Sequence, residues 1–63
     1  MNMNKHHRFC CQAIRAGRVV LIYNGVTDPK PVQVRDENRL TLVDGVMYLD
    51  GRSCKGMTVA LKP

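Results

Sequence analysis

The sequence predicts an α+β fold: one N-terminal helix followed by a small, curled, mostly antiparallel sheet or barrel of about five strands. Three observations predict it. Apolar residues recur at helical spacing only in the first quarter of the chain. From Arg18 onward, short runs rich in Val, Leu and Ile are separated by polar turn residues, as strands are. Finally, Asp44-Gly45 and Asp50-Gly51 each close a short apolar run. Asp-Gly supplies the positive φ angles that a two-residue hairpin turn of type I′ requires.

Taken in order, Asn4 is placed to cap a helix over about residues 5–16. Phe9, Cys10, Ala13 and Ile14 would form its apolar stripe, with His6 at the margin. Lys5, Arg8, Gln12 and Arg15 fall on the opposite face at three- and four-residue steps. Gly17 is a natural stop, and Arg15 suits the negative end of the helix dipole. Strands are expected at about 18–23, 31–35, 39–43, 46–49 and 57–62. The run from Val19 to Tyr23 reads as a buried strand, and the proline-containing stretch from Asn24 to Pro31 as a loop. Val32 and Val34 would point inward, as would Leu40 and Leu42, and Met57, Val59 and Leu61. Asp36-Glu37-Asn38 reads as a bend, a bulge or a hairpin loop. Asp44-Gly45 would join two antiparallel strands. Asp50-Gly51 would instead open a longer connection, because "RSCKG" is too polar for a core strand. A sheet of such short strands removes its exposed edges by curling on itself.

Sixty-three residues make a single small domain, 1–63, of marginal stability at this size. An apolar fraction of 44% argues against disorder. With Phe9, Tyr23 and Tyr48 as the aromatic residues, the core must be mainly aliphatic, and the two tyrosines are expected to pack there. The polar, basic first twelve residues predict no secretory signal, and no run approaches the length of a membrane span. Three cysteines, two of them adjacent, make a poor disulfide framework. The expectation is a cytoplasmic protein with free thiols.

The net charge of +5 is unevenly spread. Residues 1–27 carry four cations and no acid. All five acids lie between Asp28 and Asp50, among three cations. Arg52, Lys55 and Lys62 follow. Two basic ends thus flank a mildly acidic centre, which would give a positive face if the ends meet. The stripe of Lys5, Arg8, Gln12 and Arg15, extended by Arg18 and by Arg52 or Lys55, is the candidate phosphate-binding surface. The alternative is an ordinary solvated helix face. Aromatic side chains for base stacking are nearly absent.

"HHRFCC" places His6 with Cys10, and His7 with Cys11, one helical turn apart, and Cys54 offers a third thiol. Paired ligand knuckles are missing, so buried or bystander thiols are the alternative to zinc, and no metal or cofactor is assigned. A catalytic cysteine needs a depressed pKa, a positioned base and a pocket. No phosphate-cradling loop or carboxylate pair is present, and turn chemistry accounts for Asp44 and Asp50. A non-enzymatic role follows.

The order "QAIRAGRVVLIYNG", a proline-containing gap, "PVQVRDENRLTLVDGVMYL" and "GMTVALK" resembles the WYL domain over Gln12 to Lys62. Met47-Tyr48-Leu49 would hold the place of the family's Trp-Tyr-Leu motif, with Met for Trp, and the family's Arg-rich last strand is reduced to "TVALK". The resemblance implies an Sm-like, SH3-type barrel that senses ligands or nucleic acid within bacterial transcription regulators and defence systems. The functional expectation is a small basic module that binds nucleic acid or a nucleic-acid-processing complex, in a transcription-regulatory setting and without a membrane. The alternative is a phage- or mobile-element-type protein that regulates or inhibits a host protein by direct contact. A short edge strand and the Val19–Tyr23 run are compatible with a homodimer.

Overall fold

The computed structural model describes residues 3–25 and 29–63. One helix, α1 (Asn4–Arg15), precedes six strands: β1 (Val20–Tyr23), β2 (Val32–Val34), β3 (Leu40–Val43), β4 (Val46–Leu49), β5 (Arg52–Ser53) and β6 (Thr58–Leu61). A single 3-10 turn, η1 (Glu37–Arg39), lies between β2 and β3. The strands form two three-stranded sheets, ordered β2-β1-β6 and β3-β4-β5, with every pairing antiparallel. The α+β class, one helix followed by short antiparallel strands, is therefore observed, with the strands divided between two small sheets in place of one. The chain passes from the first sheet to the second through η1 and returns after β5.

Helix α1 starts one residue earlier than expected. Met3, not Asn4, holds the N-cap position and makes no side-chain capping bond. Instead the Met3 N–H donates to the Gly45 carbonyl at 3.0 Å, which ties the helix start to the β3–β4 turn. The C-terminus follows the sequence signal. Gly17 adopts φ 83°, its N–H donates to the Ile14 carbonyl, and the Arg18 N–H donates to the Ala13 carbonyl at 2.9 Å. These two bonds make a Schellman motif. Because the motif engages Arg18, β1 begins at Val20 rather than at residue 18.

Both Asp-Gly pairs are two-residue hairpin turns. Asp44 and Gly45 have φ of 51° and 77°, and Val43 pairs with Val46. Asp50 and Gly51 have φ of 52° and 82°, and Leu49 pairs with Arg52. The second pair thus corrects the expectation of a long connection: it folds Arg52–Ser53 back as β5, a strand beyond the five expected. A two-residue edge ladder needs only backbone groups, so the polar composition does not prevent it. Asp36-Glu37-Asn38 resolves into η1, capped by the Asp36 carboxylate accepting from the Asn38 N–H at 2.9 Å. β2 and β3 consequently pair in different sheets and not with each other. Of the expected loop, Val26, Thr27 and Asp28 lie outside the described residues.

One core joins the three layers. Cys10 and Ala13 of α1 meet Val20, Ile22 and Val34 of the first sheet, Leu40, Met47 and Leu49 of the second, and Cys54. Met57, just before β6, and Val59 and Leu61 of β6 pack against it. Three apolar residues depart from expectation. Phe9 is 48% exposed, because α1 turns its Cys10 side inward with Met3, and Phe9 sits about 100° away around the helix. Leu42 (40% exposed) and Val32 (42%) lie on inward-facing rows of edge strands that the opposing layers leave partly uncovered. At Val32 the sheets leave a cleft of about 560 Å³, floored by Ile22, Leu49 and Met57. Tyr23 and Tyr48 are half-buried and stand outside the core cluster.

Met47→Ala, at a fully buried site, is expected to cost roughly 2–5 kcal/mol, enough to unfold much of so small a domain. Phe9→Ala should cost less than about 1 kcal/mol, because half of the ring is already in water. Gly51→Ala meets no neighbouring atom, so its cost is backbone strain alone, about 1–2 kcal/mol. Urea denaturation midpoints check all three.

Candidate nucleic-acid interface

The outer face of α1 is set by the same geometry that buries Cys10 and Ala13. Lys5, Arg8, Gln12 and Arg15 project from the opposite side, and all four are exposed. From Lys5 to Arg15 the stripe is about 15 Å long at the helical rise. The side chains of Lys5, Arg8 and Gln12 make no hydrogen bond or ion pair among the described residues.

Arg15 differs from these three. Its Nε donates to Glu37 Oε2 at 2.7 Å and its Nη2 to Glu37 Oε1 at 2.9 Å. This two-pronged pair links the last turn of α1 to η1. It raises the Arg15 pKa above the usual guanidinium value and lowers that of Glu37, the shared hydrogen bond being the main cause in each. Arg8 and Arg15 line one pocket of about 360 Å³ with His7, Cys11, Asn4 and Leu42. Arg18 continues beyond the helix end, where its Nη2 reaches the Lys62 carbonyl at 3.5 Å.

Arg52 and Lys55 stand apart from the helix stripe. Arg52 lines the inter-sheet cleft beside Arg39 and Asp50. Lys55 lines a different groove, with Met3, His6 and Asp44. Neither groove is lined by Lys5, Arg8, Gln12 or Arg15. The sequence-derived surface therefore divides into a helix face continued by Arg18 and two separate cations.

Two charged residues escaped the sequence reading. Arg39 donates from Nε to Asp50 Oδ1 at 3.1 Å, from Nη2 to Asp50 Oδ2 at 2.6 Å and from Nη1 to the Gln33 carbonyl at 3.3 Å. Glu37, 22 residues from Arg15 in sequence, neutralises a cation assigned to the interface. Only the position of Arg39 outward on a strand and the acidic bend at 36–38 hinted at either.

The thiols and histidines do not converge on one site among the described residues. Cys10 and Cys54 are fully buried, His6 faces the Lys55 groove, and Cys11 Sγ meets His7 Nε2 at 3.7 Å. Among the described residues no three His, Cys, Asp or Glu side chains gather into a group that could hold a metal ion. Burial pushes the Cys10 thiol up to about 11, helped by neighbouring Cys11 and Cys54. Cys54 is raised by burial, and Cys11 by burial and then by Glu37, against a smaller opposing pull from Arg15. These directions are the reverse of what a nucleophilic thiolate needs.

Cys11 should be the one thiol that a maleimide modifies quickly in the folded protein, with Cys10 and Cys54 reacting only on unfolding. Mass mapping after a short pulse checks this. The linkage is also signed. An unfolded thiol ionises near pH 9 while folded Cys10 holds its proton to about 11, so stability present below pH 9 is lost as the pH rises through that interval. Cys10→Ala should flatten the alkaline limb of the urea midpoint against pH. No family model, no curated protein and no solved structure matches this chain, so the resemblance to the WYL domain rests on the quoted residues.

Proposed function

We propose that this protein is a non-enzymatic, cytoplasmic module that binds the phosphate backbone of nucleic acid, or of a nucleic-acid-processing complex, through the outer face of α1. The observation that carries the reading is the unequal use of charge. The acids Glu37 and Asp50 are engaged by Arg15 and Arg39, while the side chains of Lys5 and Arg8 are exposed on one helix face with no acidic partner among the described residues. Cations on one face of a rigid helix neutralise phosphates and release counterions. Such contacts fix position without reading sequence, which suits a face that bears no aromatic side chain for stacking apart from Phe9 at its margin. The WYL resemblance points to the same setting, transcription regulation in bacteria.

A second reading, a regulator that meets a host protein, is favoured by Leu42 and Val43. These exposed apolar residues lie on edge strand β3.

Fluorescence anisotropy with a labelled duplex tests the first reading. Three phosphate contacts, from Lys5, Arg8 and Arg18, predict affinity falling about 40-fold for a fourfold rise in salt. Arg8→Glu should weaken binding roughly tenfold and reduce the salt slope by about one. Absence of binding at low salt, or an unaltered affinity in Arg8→Glu, would overturn it. Capture of a discrete protein that survives nuclease treatment and is lost in Leu42→Asp would favour the protein-contact reading.

A further inference from the structure

Resting on the phosphate-binding reading, we propose that Glu37 is a built-in occupant of a phosphate subsite. Its carboxylate holds the Arg15 fork in the unliganded protein, and an incoming phosphate displaces it. The planar guanidinium presents two parallel N–H groups to two oxygens, at 2.7 and 2.9 Å. Guanidinium binds carboxylate and phosphate with the same bidentate geometry. The place where Glu37 sits is therefore one where a phosphate oxygen pair fits.

The surroundings support an exchange rather than a permanent brace. Arg8 and His7 line one pocket with Arg15, so an anion held on the Arg15 fork has a second guanidinium and an imidazole nearby. Arg8 has no acid of its own among the described residues. The Arg15 side chain is 68% exposed and that of Glu37 30%. A pair this open to water shifts an equilibrium by at most about fivefold, so a phosphate of a polyanion can replace the carboxylate at little cost. Glu37 then has two consequences. It lowers affinity by a small factor, and it removes Arg15 from the set of contacts that a weakly held, non-specific polyanion would use. His7 stands close enough to act electrostatically on Glu37, and Cys11 lies beside Arg15. The released carboxylate remains on η1, exposed to solvent.

The test compares charge-matched variants by anisotropy with the same labelled duplex. Glu37→Gln is expected to bind about three- to fivefold tighter than wild type. Asp44→Asn makes the same change in net charge at the β3–β4 turn, outside the pocket, and should gain less than about twofold. In an Arg15→Gln background the gain from Glu37→Gln should fall to the level of the Asp44→Asn control. Thermal melts of each variant confirm that folded proteins are compared. Equal gains in Glu37→Gln and Asp44→Asn, or a gain that persists without Arg15, would overturn the subsite while leaving the helix-face reading intact. No binding by any variant at low salt would overturn both.

Discussion

The turn at residues 36–39 is the tie on which the arrangement of the other elements depends. β2 enters it from one sheet and β3 leaves it in the other, so its geometry sets how the sheets close over their core. Asp36 caps the turn at the Asn38 N–H, and Glu37 reaches out to the last turn of the helix. Arg39 bridges the Gln33 carbonyl of β2 and the Asp50 carboxylate at the β4–β5 turn, while its own carbonyl accepts from the Asp50 N–H at 3.0 Å. One short segment thus contacts α1, the first sheet and the second. Each of these bonds is exposed and individually weak. Their effect is geometric: they select one closure among the many that a small aliphatic core would tolerate.

Backbone constraints complete what the core cannot specify. The buried set is small and aliphatic, with Val, Leu, Ile, Met and Cys supplying it and no aromatic ring at its centre. Such a core favours compactness without fixing strand register. Register comes from the two Asp-Gly corners, each of which permits only a two-residue hairpin, and from the bond between Met3 and Gly45 that seats the helix against the first corner. The bond satisfies the Met3 N–H at a helix start that lacks a side-chain cap. An open N-terminal turn is held by a neighbouring carbonyl from another element.

Local signals were legible in the sequence and long-range ones were not. The helix, its Gly17 stop, the Asp44-Gly45 hairpin and strand 46–49 each follow from residues within a few positions of one another. The partition into two sheets does not, because it depends on where β2 and β3 find partners, and alternation alone reads the same in either sheet. Exposure failed at Phe9, Leu42 and Val32 for a related reason. Periodicity gives a face, while burial depends on how far the opposing layer extends over it. Of the candidate surface, the Lys5, Arg8, Gln12 and Arg15 stripe was legible as a helix face. The pairing of Arg15 to Glu37 and the separation of Arg52 and Lys55 are products of tertiary placement.

The same tie shapes the charge that the protein shows to its surroundings. Along the chain, acids and cations of the central segment look like a neutralising block between two basic ends. In three dimensions Glu37 and Asp50 are turned toward Arg15 and Arg39, at the seams where elements meet. Neutralisation is therefore local, and the field of the remaining cations is not averaged away over the surface. Lys5 and Arg8 stand exposed on the helix, about two to three turns from a guanidinium whose partner is itself part of the tie. Under the proposed phosphate-binding role, folding and binding would draw on the same side chain at Arg15, and a ligand that takes it would loosen a contact between α1 and η1, coupling affinity at this face to the closure of the fold through one exposed pair.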